Sequence, residues 1–184
     1  MMGANNTTRS PTLSEPQTRS VQQLMDLSID VTPLAVDLSD EDAVMGLADR
    51  ALEVLGRVDI LVNNAGASWG APAEDYPLEG WDKVMTLNVR NLFLLTREIG
   101  RRSMIPNGGG RVVNVASNAA LGGNRGFMQA VGYNTSKGAV VTFTRAPSAR
   151  ACFPARCRAI SPIATASRRW PRGYRSTESA TRRI

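Results

Sequence analysis

Histidine is missing from all 184 residues, so a Ser-His-Asp triad, an H-E-x-x-H zinc site and a histidine base are excluded. Cysteine is almost as scarce, and Cys152 with Cys157 alone can neither ligate zinc nor build a disulfide framework. There is no run of about 18 apolar residues. The opening MMGANNTTRS lacks the apolar stretch of a secretory signal. The expected address is therefore cytoplasmic, with no membrane partner. What remains, 42% apolar and 21% charged, suits one soluble globular domain with a sizeable core.

Acid is lacking at one end only. Residues 145–184 hold ten arginines against the single acid Glu178, a charge of +9, while residues 1–144 carry −3. The overall +6 is thus a property of the tail. That tail interleaves aromatics only at Phe153, Trp170 and Tyr174, so nucleic acid is not expected as a partner.

Residues 1–20 are rich in Asn, Thr, Ser and Pro, and read as a disordered or loosely attached arm. Val21 to Ile29 is a short amphipathic segment. Thr32 to Val36 predicts a strand ending at Asp37, after which Ser39 caps a helix with an apolar stripe from Val44 to Leu55 and a stop at Gly56. Asp59 to Val62 is a short apolar run of the buried parallel-strand kind, opening into a turn at Asn63-Asn64-Ala65-Gly66. A long helix then carries Trp81, Val84, Met85, Leu92, Leu95 and Ile99 on one stripe, with Asn88 on it too. Gly108 to Gly110 break the chain before a strand over Val112 to Ala116, a glycine-rich loop and a helix over Tyr133 to Thr144. This alternation predicts a parallel sheet with helices on both faces. From Pro147 onward neither apolar period persists, and the Arg, Ser, Ala and Pro bias is that of a coding sequence read out of frame. A frameshift near Ala146 is expected, leaving a core domain over 21–146 and a disordered basic tail over 147–184.

Tyr133 and Lys137 stand four positions apart on one helix face. A phenol with a pKa near 10 is a poor acid–base group at neutral pH, and a fixed positive charge beside it favours the phenolate. A solvated surface pair has the same spacing. Ser117 follows an apolar strand, at the carboxyl end where a parallel sheet presents its ligands, and is read either as a carbonyl-orienting hydroxyl or as a loop cap. Asn88 on an apolar stripe needs hydrogen-bond partners, since burying an amide without them costs about 1–3 kcal/mol. In Asn63-Asn64-Ala65-Gly66 the glycine lets backbone approach a ligand, and the asparagines can tie adjacent strand ends together.

In this order and on these elements, the motifs resemble the short-chain dehydrogenase/reductase family, over roughly Val21 to Ala146. The wording around Gly66 to Pro72, Trp81 to Val84 and Asn88 to Arg90 is similar to its gluconate 5-dehydrogenase and 3-oxoacyl-carrier-protein reductase branches. The resemblance implies a Rossmann-like doubly wound α/β sheet, NAD or NADP as cofactor, an alcohol or ketone as substrate, and a homo-oligomer. It implies Asp37 and Leu38 beside the cofactor's adenine, and Asn63, Ala65 and Gly66 in its turn. It also implies a catalytic tetrad of Asn88, Ser117, Tyr133 and Lys137. In that tetrad Tyr133 is the general acid–base and Ser117 polarises the carbonyl. Lys137 lowers the tyrosine pKa while holding the nicotinamide ribose, and Asn88 positions the water of a proton relay.

The family's first strand, Gly-rich turn and helix have no counterpart in the 36 residues before Asp37, and the strand expected after the catalytic helix is missing too, with Arg158 to Pro162 only faintly echoing the family's Asn-Ala-Ile-x-Pro-Gly turn. The expected sheet is therefore incomplete, without its first βαβ unit and its last strands, and has exposed apolar edges. A catalytically inactive fragment or interaction module is the alternative reading. Because backbone amides of the missing turn would cradle the cofactor pyrophosphate, the chain is expected to bind NADH or NADPH weakly or not at all. A fluorescence titration checks this, and clear saturation would contradict it.

Overall fold

The computed structural model describes residues 13–122 and 129–146, together with the backbone of 158–160. Most of the glycine-rich loop and most of the basic tail lie outside the described residues.

Helix α1 spans Glu15–Asp26. Ser14 starts it by donating its backbone N–H and its hydroxyl to Gln17 Oε1 at 2.8 and 2.9 Å, with a proline in the first turn. Residues 15–20, expected as part of an arm, are thus helical, although no residue of α1 is buried. Helix α2 spans Glu41–Leu55 and buries Val44 and Ala48. Its cap is Asp40, whose Oδ1 accepts from the Ala43 N–H at 3.1 Å. Ser39, the expected cap, instead donates its N–H and Oγ to Asp37 Oδ1 at 2.9 and 2.6 Å. Gly56 closes α2 at a φ of +66°, a left-handed backbone that glycine adopts without penalty.

Strands β1 (Ile60–Asn63), β2 (Arg111–Val115) and β3 (Arg158–Ile160) form one parallel sheet in the order β1-β2-β3. Two expectations are corrected here. Residues 32–36 do not form a strand: Pro33 lacks a ladder donor, and no described strand lies beside the segment to pair with it. Conversely, Arg158–Ile160 pairs with β2, so a strand stands where the sequence pattern offers none. The sheet is the incomplete α/β core of a doubly wound fold.

The expected long helix is a continuous helical run of four parts: α3 (Leu78–Met85), a π-helical turn (Thr86–Asn91), α4 (Leu92–Ile99) and a second π turn (Gly100–Met104). After β2 come α5 (Ala119–Gly122) and α6 (Val131–Arg145). No helix among the described residues is long and apolar enough to cross a membrane.

Register fixes which side of the sheet is covered. Asn63 pairs with Asn114 across β1 and β2, so their side chains share a face. Asn63 bonds α4 through Thr96, and Asn114 bonds α6 through Thr144. Both helices therefore pack on that face. On the opposite face Ile60 and Val62 are 61% and 55% exposed, so of the two helical layers expected one is present among the described residues. The core is two apolar clusters: Ala48, Ile99, Met104 and Val112 in one, Leu92, Ala116 and Val140 in the other.

Gly110 leads into β2 hard against Met104, and a Cβ at this glycine would stand 2.7 Å from the Met104 sulfur. Gly110→Ala is expected to cost about 1–3 kcal/mol by overpacking, and Met104→Ala about 2–5 kcal/mol by opening a cavity. Because each removes the other's conflict, the double variant should lose less than the sum. Urea midpoints of the four proteins check the coupling.

Candidate active site

Asn88 lies in the first π turn and is fully buried. Its Oδ1 accepts from the Ala67 N–H at 2.8 Å. Its Nδ2 donates to the Ala67 carbonyl at 2.9 Å and to Ser136 Oγ at 2.9 Å. Ser136 in turn donates to the Tyr133 carbonyl at 2.8 Å. One amide thereby joins the loop after β1, the π turn and the first turn of α6. π turns are a recurrent device at functional sites, and here the turn carries the polar residue that the apolar stripe cannot explain. Both amide hydrogens are in use, so a relay water would be held by an oxygen of Asn88 rather than by its N–H groups.

Gly66 sits directly above this brace. A Cβ there would be 3.2 Å from Asn88 Oδ1 and 3.4 Å from Lys137 Nζ, so a larger residue would crowd both. Lys137, on α6, is only 4% exposed. Its Nζ donates to the Val115 carbonyl at the end of β2 at 2.9 Å and stands 5.7 Å from the centroid of the Tyr133 ring. Burial pulls the lysine pKa below its ordinary value.

Ser117 follows β2. Its Oγ donates to Asn118 Oδ1 at 3.1 Å and accepts from the Ala119 N–H at 3.2 Å, so the hydroxyl meets the loop-cap reading while remaining on the wall of a cleft. That cleft, of about 910 Å³, is lined by Gly66, Trp69, Ser117, Asn118, Gln129 and Tyr133 among others. Three of the sequence-predicted residues thus line one cleft, and Asn88 and Lys137 are bonded to the segments that form it.

The remaining predicted residues gather elsewhere. Leu38, Asn63 and Ala65 border a second, mostly apolar cavity of about 320 Å³, with side chains of α2 and α4. The Asn63 side chain does what the turn suggests, tying strand ends: Nδ2 donates to Asn114 Oδ1 at 2.8 Å and to Thr96 Oγ1 at 2.9 Å. Asp37 is exposed, and its two hydrogen bonds from Ser39 hold its carboxyl below the usual carboxylate value. Asn91 was not singled out from the sequence. It donates to the Leu38 carbonyl at 2.7 Å and anchors the segment beside this cavity. Ser136, Thr96, Asn114 and Thr144 were missed as well. For Asn114 the available signal was an amide inside the apolar run Val112 to Ala116, of the kind that marks Asn88, whereas the small hydroxyls at Thr96, Ser136 and Thr144 give no such break.

A nicotinamide dinucleotide meets a partial fit. Gly66 leaves close approach over Lys137, and the only hydrogen bond that Lys137 Nζ makes among the described residues is to Val115, which leaves donors for ribose hydroxyls. No glycine-rich turn entering a helix N-terminus stands among the described residues, so nothing described would cradle the pyrophosphate.

The family described as short chain dehydrogenase matches residues 2–166. The chain is similar to the rhamnolipids biosynthesis 3-oxoacyl-[acyl-carrier-protein] reductase of Pseudomonas aeruginosa, 40% identical over 119 residues that make up 63% of this chain and 46% of that protein. Among solved structures it resembles an NAD+-bound xylitol dehydrogenase, with a TM-score of 0.69 and 32% identity, covering 79% of this chain and 55% of that one. It also resembles a short chain dehydrogenase from Burkholderia cenocepacia in complex with NADP, with a TM-score of 0.63 and 28% identity, covering 71% and 51%. The chain spans about half the length of these relatives.

The buried lysine sets a pH dependence of stability. Its folded pKa lies below the unfolded value near 10.5, so between the two the unfolded chain binds the extra proton. Stability is therefore expected to rise with pH across that window and to level off above about 10.5. Denaturant melts over an alkaline pH series check this, and Lys137→Met should flatten the rise.

Proposed function

Since the chain belongs to the short-chain dehydrogenase family, we propose that it performs oxidoreductase chemistry, moving a hydride between NAD or NADP and an alcohol or ketone with Tyr133 as the general acid–base. The observation that carries the reading is the Asn88 brace, which ties the Gly66–Ala67 backbone to the helix turn bearing Tyr133 and Lys137. The dinucleotide, when bound, supplies or takes up the hydride. Every other task falls to this chain's residues. Tyr133 gives a proton to the carbonyl oxygen during reduction and takes it back from the hydroxyl during oxidation. Ser117, on the same cleft wall, holds that oxygen by hydrogen bonding. Lys137 keeps a positive charge beside the phenol ring and offers its free N–H donors to the ribose. Gly66 and Ala65 supply backbone that a ligand can approach closely, and Asp37 and Leu38 border the adenine end. Related proteins with bound NAD+ and NADP support either dinucleotide, and a homo-oligomer is the proposed assembly.

A second reading, a chain of this family that acts by association without turnover, is favoured by the open sheet face at Ile60 and Val62. One assay separates the two: oxidation of NADH or NADPH at millimolar concentration with a panel of ketones. Turnover is expected, with Tyr133→Phe lowering it by about 10²- to 10⁴-fold while the circular dichroism spectrum is kept. Undiminished turnover in Tyr133→Phe would sink the acid–base role, and a folded chain with no turnover would favour the second reading.

A further inference from the structure

The segment 67–77, between β1 and α3, meets the start of α6 at two places. Ala71 N–H donates to the Gln129 carbonyl at 2.9 Å, and Ala71 pairs with Ala130 in a parallel bridge. Further along, Tyr76 is seated on Gly132, where a Cβ would lie 2.6 Å from Tyr76 Oη and 3.1 Å from its Cζ. The same hydroxyl donates to the Trp69 carbonyl at 3.3 Å, and the ring meets Trp81 of α3 edge-on with centroids 6.3 Å apart. One phenol thus joins Trp69 of the cleft wall, α3 and the backbone just before Tyr133. It does so where α6 is least secured from within. Ala130 at the N-cap offers no side-chain oxygen to the N–H groups of the first turn, and Val131 and Gly132 are both poor helix formers. Ser136 holds the Tyr133 carbonyl from within the helix, and Tyr76 supplies a hold from outside it. A glycine inside a helix is unfavourable, and here it is accounted for by the phenol that stands where its side chain would be.

We propose that Tyr76 is a positioning residue for Tyr133: its phenol, seated on Gly132, holds the first turn of α6 and so fixes where the Tyr133 hydroxyl stands against the cleft wall of Ser117 and Trp69. It acts through the Gly132 backbone and not on the substrate. The inference rests on the oxidoreductase reading above and adds a residue to its machinery. The expected effect falls on the chemical step more than on binding of the dinucleotide. Lys137 and Gly66, the residues that would meet the ribose, are tied elsewhere, Lys137 to the Val115 carbonyl and the Gly66–Ala67 backbone to Asn88. A first turn that shifts would therefore misplace the proton donor while the ribose contacts persist, and proton transfer is sensitive to such misplacement.

The test compares the full chain with Tyr76→Phe, Gly132→Ala and the two together, by two measurements. One is steady-state reduction of the best ketone of the panel above by NADH or NADPH. The other, which needs no activity, is hydrogen–deuterium exchange over 130–137 and over 138–145. Gly132→Ala drives a methyl group into the end of the phenol, and is expected to lower kcat by about tenfold with the dinucleotide KM within about twofold. It should also speed exchange over 130–137 by about tenfold and leave 138–145 unchanged. Tyr76→Phe alone should lower kcat by about threefold; combined with Gly132→Ala it removes the atom in conflict and should bring kcat back to within about threefold of the unmodified chain. Two changes that merely destabilise the fold would add instead of rescuing one another. Independent effects at the two positions, a loss confined to KM, or exchange that rises equally over both stretches would overturn the proposal. If the chain turns over and neither kcat nor exchange responds, the role of Tyr76 falls and the oxidoreductase reading stands. If nothing is turned over but exchange over 130–137 responds and is rescued, Tyr76 keeps its hold on the turn and the oxidoreductase reading falls; with neither turnover nor response, both fall.

Discussion

Everything near the cleft hangs on one amide. Asn88 is buried, and it grips both the N–H and the C=O of Ala67 while also reaching Ser136. A buried group that makes three hydrogen bonds is rigid because leaving any one unmade is costly. The loop after β1 has no ladder of its own from Asn64 to Gly70, so its backbone takes its position from Asn88. Gly66 can then pass close over Lys137, and Lys137 can reach back to the end of β2. Removing the amide would cut the loop's tie to α6, while Lys137 would still join that helix to the end of β2.

A second set of polar contacts lies deeper and has a different task. Thr96, Asn63, Asn114 and Thr144 form a chain of hydrogen bonds from α4 across two strands to α6. Apolar packing against Val112 or Val140 is non-directional and tolerates sliding, whereas hydrogen bonds require particular partners. The paired asparagines at one register position therefore lock the relative height of β1 and β2. That height sets how far Asn63 and Val115, and hence the loops that follow them, stand from one another.

Much of this was legible before any coordinates. The apolar period located α2, β1, β2 and α6, and the strand-tying use of Asn63 followed from its place at a strand end. Asn88 could be named because it breaks an apolar stripe, Tyr133 and Lys137 because they stand four positions apart on one helix face, and Ser117 because it follows an apolar strand, and it is the family resemblance that groups the four. The failures have physical causes. The segment 32–36 has the composition of a strand, but a strand exists only with a neighbour to pair with. Arg158–Ile160 has too few residues to show a period, and it is a strand because β2 offers an unpaired edge. Ser39 and Asp40 are both competent caps, and the choice between them depends on Asp37 engaging Ser39. Ser136 and Thr144 were overlooked because a small hydroxyl on a helix fits a core position without disturbing the pattern.

The two π turns between Leu78 and Met104 make this long helix a measuring device as much as a packing element. An α-helix advances about 100° per residue, and a π turn accommodates one residue more than the α period allows. Residues on either side of Thr86–Asn91 keep one facing across the turn, because the extra residue is taken up within it, where Asn88 and Asn91 are buried. Losing a single position there would return the run to plain α-helix with its two flanks still in phase, and what would be lost is the local widening that carries Asn88 and Asn91. The helix thus keeps a single packing face over its whole length while giving one residue to a local widening, and the buried amides of Asn88 and Asn91 are what that widening carries.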